Sequence, residues 1–368
     1  MRQVLDAHAD GMLADPGRMH FEGMATRAFI EEARDAVAAF CGASSREIVF
    51  TASASESIAM AIWGGVRRAV ESGRTPHIVT SAVEHSAVRD SASMFADTAR
   101  GSVETIGVDS TGTVDADAMC DAIGPGTSLV SLQWANHEVG AIQPIERVIA
   151  HCREVGVLVH VDAAQIPGHL PIDLGALGAD LVSCSGHKFG APAGIGLLWI
   201  RRGLRLTPLV RGSEQERARR AGLENVLAIA GLAAVARALT PERVRAEADA
   251  QRELTDRLRL GLGTIDGVDA LGPTDPAHRL PHLVCLSIAG VEPQGVVLGL
   301  DQHAVSVHSG SSCATESLEP SPVLEAMGVD AHRSLRLSVG WNTTSSAVDA
   351  AIAATTEVVT QLRALAGG

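Results

Sequence analysis

Ser183-Cys184-Ser185-Gly186-His187-Lys188-Phe189-Gly190 places a lysine directly after a small polar and glycine turn. Asp180-Leu181-Val182 before it and Ile195-Gly196-Leu197-Leu198-Trp199-Ile200 after it both read as buried strands. A lysine held between buried strands is costly unless its charge is used or neutralised. An imine with an aldehyde group would use the amine. The alternative is a lysine whose head escapes to solvent from the turn, and the octapeptide alone leaves both open.

Upstream, Val159-His160-Val161-Asp162-Ala163-Ala164-Gln165 is an apolar strand that ends in an aspartate, with a glutamine three residues later. Pyridoxal phosphate, as the aldehyde, needs a carboxylate against its pyridine nitrogen so that the ring can draw electrons from a carbanion at an amino-acid Cα. Asp162 stands where a strand end delivers it, and Gln165 can donate to the ring's phenolic oxygen. Ligands of α/β sheets collect at the carboxyl ends of strands, which suits both segments. An aspartate at a strand end is more often a turn or cap residue; its joint occurrence with Ser185-Gly186-His187-Lys188 argues for the cofactor.

Three more stretches follow the same order along the chain: Val83-Glu84-His85-Ser86-Ala87-Val88, Trp134-Ala135-Asn136-His137-Glu138-Val139-Gly140 and Ser309-Gly310-Ser311-Ser312-Cys313-Ala314. With them the sequence resembles the cysteine desulfurases of the pyridoxal-phosphate-dependent class V aminotransferase family, in the branch with a long catalytic-cysteine loop. The resemblance runs from Leu5-Asp6 to about Arg363. It implies fold type I, an α/β architecture whose large domain has a mainly parallel sheet beside a smaller α+β domain, and a homodimer. It also implies conversion of L-cysteine to L-alanine, with sulphur passing to a cysteine persulfide and then to an acceptor protein or small-molecule thiol.

Residue roles carry over with it. Lys188 would hold pyridoxal 5'-phosphate and remove the Cα proton, and His85 would stack on the ring and exchange protons. The Ala54 and Ser55 backbone and the Ser55 hydroxyl would bind the phosphate, with Ser185 and His187 assisting. Asn136 would touch the phenolic oxygen and the substrate carboxylate, and Cys313 would be the nucleophile.

The residues themselves add to this. Ser53-Ala54-Ser55-Glu56 matches a capping box after a strand, and a helix N-terminus suits a phosphate; an ordinary cap is the other reading. Arg336 alternates with apolar residues in Leu335-Arg336-Leu337-Ser338, either as a bidentate clamp on an amino-acid carboxylate or as an outward-facing strand residue. Cys313 lies in a small-residue polar loop, which suits a thiolate that travels between substrate and acceptor. Cys41, Cys120, Cys152 and Cys285 sit in apolar patterns and read as structural, and Cys184 reads as packing.

Two departures from the family pattern stand out. Ala7-His8-Ala9-Asp10-Gly11 replaces the usual Asn-Ala-Ala-Thr-Thr, and Leu223 stands where a threonine usually reaches the phosphate across a dimer interface. The chain also ends soon after its final helix, without the extension that meets an iron–sulphur scaffold, which leaves a specialised pathway open. Rival readings are a cysteine or cystine lyase, a selenocysteine lyase, an aminotransferase, or a non-catalytic homologue acting as a binding partner. Lys188, Asp162, Gln165, His85 and Arg336 together argue against the last.

At 368 residues the chain can hold two domains, and 46% apolar with 20% charged residues is ordinary for a soluble enzyme. A net charge of −13 disfavours nucleic acid and anionic membranes as partners. Six scattered cysteines without a Cys-x-x-Cys pair argue against zinc, an iron–sulphur cluster and a disulfide framework. Met1–Met12 has no signal-peptide core and no stretch is long and apolar enough to span a bilayer, so a cytoplasmic protein is expected. Strand–helix alternation up to a long helical region, Val226 to Leu262, predicts a large domain over 12–250. Leu283–Ile288, Ala304–Val307 and Leu335–Val339 predict a smaller one over 251–368, which the resemblance implies is joined by residues 1–11.

Overall fold

The computed structural model describes residues 14–309 and 320–366, so 7–11 and Cys313 lie outside the described residues. Two compact units make up the chain. One comprises residues up to Ile106, Ala116–Trp134 and Pro144–Val244; the other comprises Gly107–Asp115, Ala135–Gln143 and the chain from Arg245 onward.

The first unit is built on β1 (Ile48–Thr51), β2 (His77–Ser81), β3 (Ser102–Ile106), β4 (Leu129–Gln133), β5 (Leu158–Asp162), β6 (Leu181–Ser185) and β7 (Gly196–Ile200). They form one sheet in the order β1-β7-β6-β5-β4-β2-β3. Pairing is parallel from β3 through β6, whereas β7 runs antiparallel to both β6 and β1. Every strand except β7 therefore ends at the same edge. Helices α1 (Phe21–Phe40), α2 (Ala54–Glu71), α3 (Ser86–Thr98) and α4 (Val226–Ala238) dress this sheet, with α1 packed on α4.

Burial explains the strand sequences. β4, β5 and β6 are almost wholly buried and read as near-continuous apolar runs, while edge strand β3 is largely exposed and carries Ser102, Glu104 and Thr105. The polar exceptions inside pair with one another. His160 reaches Ser131 Oγ through Nδ1 and Ser183 Oγ through Nε2, both at 2.8 Å. Burial pushes its pKa down to about 3, so the ring stays neutral.

The helical region expected from Val226 to Leu262 is two helices, because Leu239 and Thr240 separate α4 from α5 (Pro241–Leu262). Pro241 opens the second helix, where a missing N–H costs nothing. The second unit has β8 (Val268–Leu271), β9 (Leu283–Ile288), β10 (His308–Ser309) and β11 (Ser334–Ser338) in the order β10-β11-β9-β8, antiparallel throughout. Ala304–Val307 is not a strand; the extended pairing begins only at His308. Leu258, Leu262, Val296 and Val358 from the helices share a core with Val284, Leu286 and Leu335 from the sheet. Among the described residues no helix is long and apolar enough to cross a membrane.

Candidate active site

Four of the strands that end at the common edge of the first unit, β1, β2, β5 and β6, each lead into a group of candidate site residues. After β1, Ser53 caps α2: its Oγ accepts from Glu56 N at 3.2 Å, and Glu56 Oε2 accepts from Ala52 N at 2.7 Å. Ser57 N donates to Ser53 O, the first helical bond. The amides of Ala54 and Ser55 are the two first-turn donors that this arrangement leaves for an anion. Gly196 on β7 lets the helix start lie this close, since a Cβ there would fall 2.6 Å from the Ser53 carbonyl carbon.

After β2, His85 caps α3, with Nδ1 accepting from Ala87 N at 3.0 Å. In the neutral ring the proton therefore sits on Nε2. At the end of β5, Asp162 is buried and its Oδ1 accepts from Ala164 N at 3.0 Å. Burial raises its pKa, against which the Ala164 amide and the charges of His85 and Lys188 act. These three side chains are thus electrostatic neighbours. Gln165 follows, half-buried. After β6, Ser185 and His187 meet through Oγ and Nδ1 at 3.0 Å, and burial followed by the Lys188 charge lowers the His187 pKa.

Lys188 itself is exposed in the turn Gly186–Phe189. The cost of burying its charge is therefore not what marks it. A stronger signal lay in the composition: Lys188 is the only lysine in the chain.

The sequence reading passed over Glu84, which is 0% exposed. Its Oε1 accepts from Ser81 Oγ at 2.6 Å and from Gln133 N at 2.9 Å, while Gln133 Nε2 donates to Val83 O at 2.7 Å. These bonds tie the segment before His85 to the end of β4. Burial pushes the Glu84 pKa up to about 8, with the Asp162 charge adding to it against the two hydrogen bonds. The folded state thus holds this proton more tightly than the unfolded chain, whose carboxyl titrates near 4.5. Its contribution to stability is full below about pH 4.5 and is lost as pH rises through 8, an upper bound on the order of 4–5 kcal/mol. Glu84→Gln is expected to flatten that fall in urea-unfolding free energies measured from pH 5 to 9; an unchanged slope would mean the carboxyl ionises normally.

In the second unit, Asn136 is fully buried and its Oδ1 accepts from Glu138 N and Val139 N, both at 2.8 Å. Any donation to a ligand must come from its amide nitrogen. Arg336 lies on β11 opposite His308, half-buried, with Nη1 donating to His137 O at 2.9 Å. The buried Glu138 accepts from Ser321 Oγ at 2.6 Å.

The first unit fits pyridoxal 5'-phosphate: a buried carboxylate on which the charges of His85 and Lys188 act, a helix start with two amides to give, and one amine on the turn after β6. The sheet and its edge are those of a fold type I pyridoxal-phosphate enzyme, as the solved structures it resembles show. The chain belongs to the aminotransferase class-V family, which it matches over residues 3–351. It is 40% identical over 349 residues to a cysteine desulfurase of Gluconacetobacter diazotrophicus, covering 94% of this chain and 86% of the relative. A solved NifS-like protein superposes with a TM-score of 0.89 at 30% identity, covering 98% of this chain and 95% of that one. SspA, solved in complex with cysteine, gives 0.79 at 28% identity over 92% of this chain and 94% of its own.

Proposed function

We propose that the protein is a cysteine desulfurase that uses pyridoxal 5'-phosphate to convert L-cysteine to L-alanine. The reading rests on Lys188, the chain's only lysine, standing on the turn after β6 as an electrostatic neighbour of the buried Asp162. Relatives named as cysteine desulfurases and a structural neighbour solved with cysteine support the substrate.

Bound at this edge, the cofactor supplies an aldehyde for the substrate amine and a ring that accepts electrons from its Cα. The amides of Ala54 and Ser55, the Ser55 hydroxyl, Ser185 and His187 hold the phosphate. Asp162 would hold the ring nitrogen, and Gln165 and Asn136 would bind the phenolic oxygen. The Lys188 amine would carry the cofactor between turnovers and take the Cα proton, while His85 would offer Nε2–H to the ring or substrate. Cys313 attacks the substrate sulphur as a thiolate: the carbon–sulphur bond breaks, a sulphur–sulphur bond forms, and the carbon left behind is protonated to alanine. A sulphur-acceptor protein or small-molecule thiol then takes the sulphur from the persulfide.

Arg336 and Asn136 bind the substrate carboxylate. Arg336→Ala is expected to raise the KM for cysteine roughly tenfold to a hundredfold, the worth of a charge-assisted hydrogen bond, with the cofactor's absorbance unaltered. Arg336→Lys should recover only part, because an ammonium lacks the planar fork. An unchanged KM in the alanine variant would move the carboxylate site elsewhere.

The protein is further proposed to be a cytoplasmic homodimer. Its five described cysteines are all free and buried, as in a reducing compartment. Met19, Phe21, Met24 and Leu223 are large apolar residues of the first unit that stand exposed. Exposed apolar side chains such as these are ones an interface would cover. The assay that tests the function supplies cysteine with a reducing thiol and quantifies alanine against pyruvate. Pyruvate as the main product would make the protein a lyase.

A further inference from the structure

We propose that Arg220 is a positioning residue for the phosphate-binding turn, neutralising Glu56 so that the start of α2 accepts a phosphate instead of repelling it. The inference deepens the cofactor reading and rests on α2 holding the phosphate.

The motivating observation is a strained segment. Glu216, Arg217 and Ala218 take φ values of 46°, 58° and 59°, three successive non-glycine residues in the left-handed region that L-residues avoid. Such a run persists only where its surroundings over-determine it, and here they do. The buried Glu216 carboxylate receives both Nη atoms of Arg34 at 2.7 Å and the Phe50 amide at 2.8 Å. Arg217 pairs with Glu31 at 2.6 Å, and Arg219 Nη1 donates to Arg46 O at 2.8 Å.

What the strained turn delivers is Arg220. Its Nε donates to Glu56 Oε1 at 2.7 Å and its Nη2 approaches Oε2 at 3.4 Å, with the two side chains only 21% and 17% exposed. The carboxylates of Glu216 and Glu224 also act on this guanidinium. Glu56 is the third residue of α2, and its other oxygen already caps Ala52 N. Its carboxylate therefore occupies the positive end of the helix dipole, the same field that would hold a phosphate. Two anions at one helix end repel each other unless a cation answers one of them. The two residues are 164 apart in the chain, so the pairing is a product of the fold.

The test measures binding of pyridoxal 5'-phosphate and of pyridoxal, which lacks the phosphate, to the apo-protein. Arg220→Ala is expected to weaken pyridoxal 5'-phosphate about tenfold while pyridoxal stays within about twofold. Combining it with Glu56→Gln, which keeps an oxygen for Ala52 N but removes the charge, should return the affinity to within about threefold of the parent. Equal losses for both ligands would indicate a merely structural role and overturn the proposal, as would a double variant no better than Arg220→Ala. Should Arg220→Ala fail to fold, Glu56→Gln alone decides: tighter pyridoxal 5'-phosphate with unchanged pyridoxal supports the proposal, and weaker binding sinks it. Parent protein that binds both ligands equally, with the amine adduct on Lys188 still formed, would remove the phosphate site and the proposal while leaving the lysine's role intact.

Discussion

Lys188→Ala is expected to give a colourless protein whose turnover of cysteine falls by at least about a thousandfold, because one side chain supplies both the cofactor linkage and the Cα base. Lys188→Arg makes the argument sharper. It keeps the positive charge beside Asp162, yet a guanidinium does not deprotonate at neutral pH and so supplies neither an imine nor a base. If the charge alone mattered to Asp162, the arginine variant would retain activity. Hydride reduction of the native protein should fix the cofactor on a single peptide containing Lys188. No other side chain in the chain carries a primary amine, so the only competing label is the terminal amine. Turnover by the arginine variant, or label on the terminal amine alone, would end the reading.

Cys313→Ser is expected to abolish alanine and sulphide release while leaving cofactor binding and cysteine binding in place. The hydroxyl of serine does not ionise near neutral pH, whereas a thiolate does, and attack on sulphur needs that thiolate. Lys188, Asp162 and Arg336 are untouched by the change, so the variant should bind cysteine and stall. The other cysteines cannot stand in: all five are buried, burial pushes the pKa of Cys41, Cys152 and Cys285 up to about 12, and burial drives Cys120 and Cys184 up as well. Persulfide on the Cys313 peptide of the native enzyme, trapped by alkylation, is the companion measurement. Full activity in the serine variant would overturn the desulfurase assignment.

Much of the first unit was readable locally. Strand–turn–helix order, the aspartate closing β5 and the turn carrying Lys188 follow from patterns a few residues long, and the fold places all of them on one edge. The arginines between Arg201 and Arg220 carry no local sign of their partners; in the fold, Arg201 pairs with Asp180, Arg217 with Glu31 and Arg220 with Glu56. The short stretches 107–115 and 135–143 belong to the second unit although first-unit chain flanks them, and no local pattern announces that.

By itself the sequence determined the alternating elements and placed Lys188 and Asp162 at strand ends, since periodicity and turn chemistry act between near neighbours. Tertiary structure alone decided that Glu84 is buried enough to keep its proton, that Lys188 stands in the open, and that Arg220 answers Glu56. The reason is physical: charge state depends on desolvation and on the nearest opposite charge, and both are set by groups brought together from distant parts of the chain.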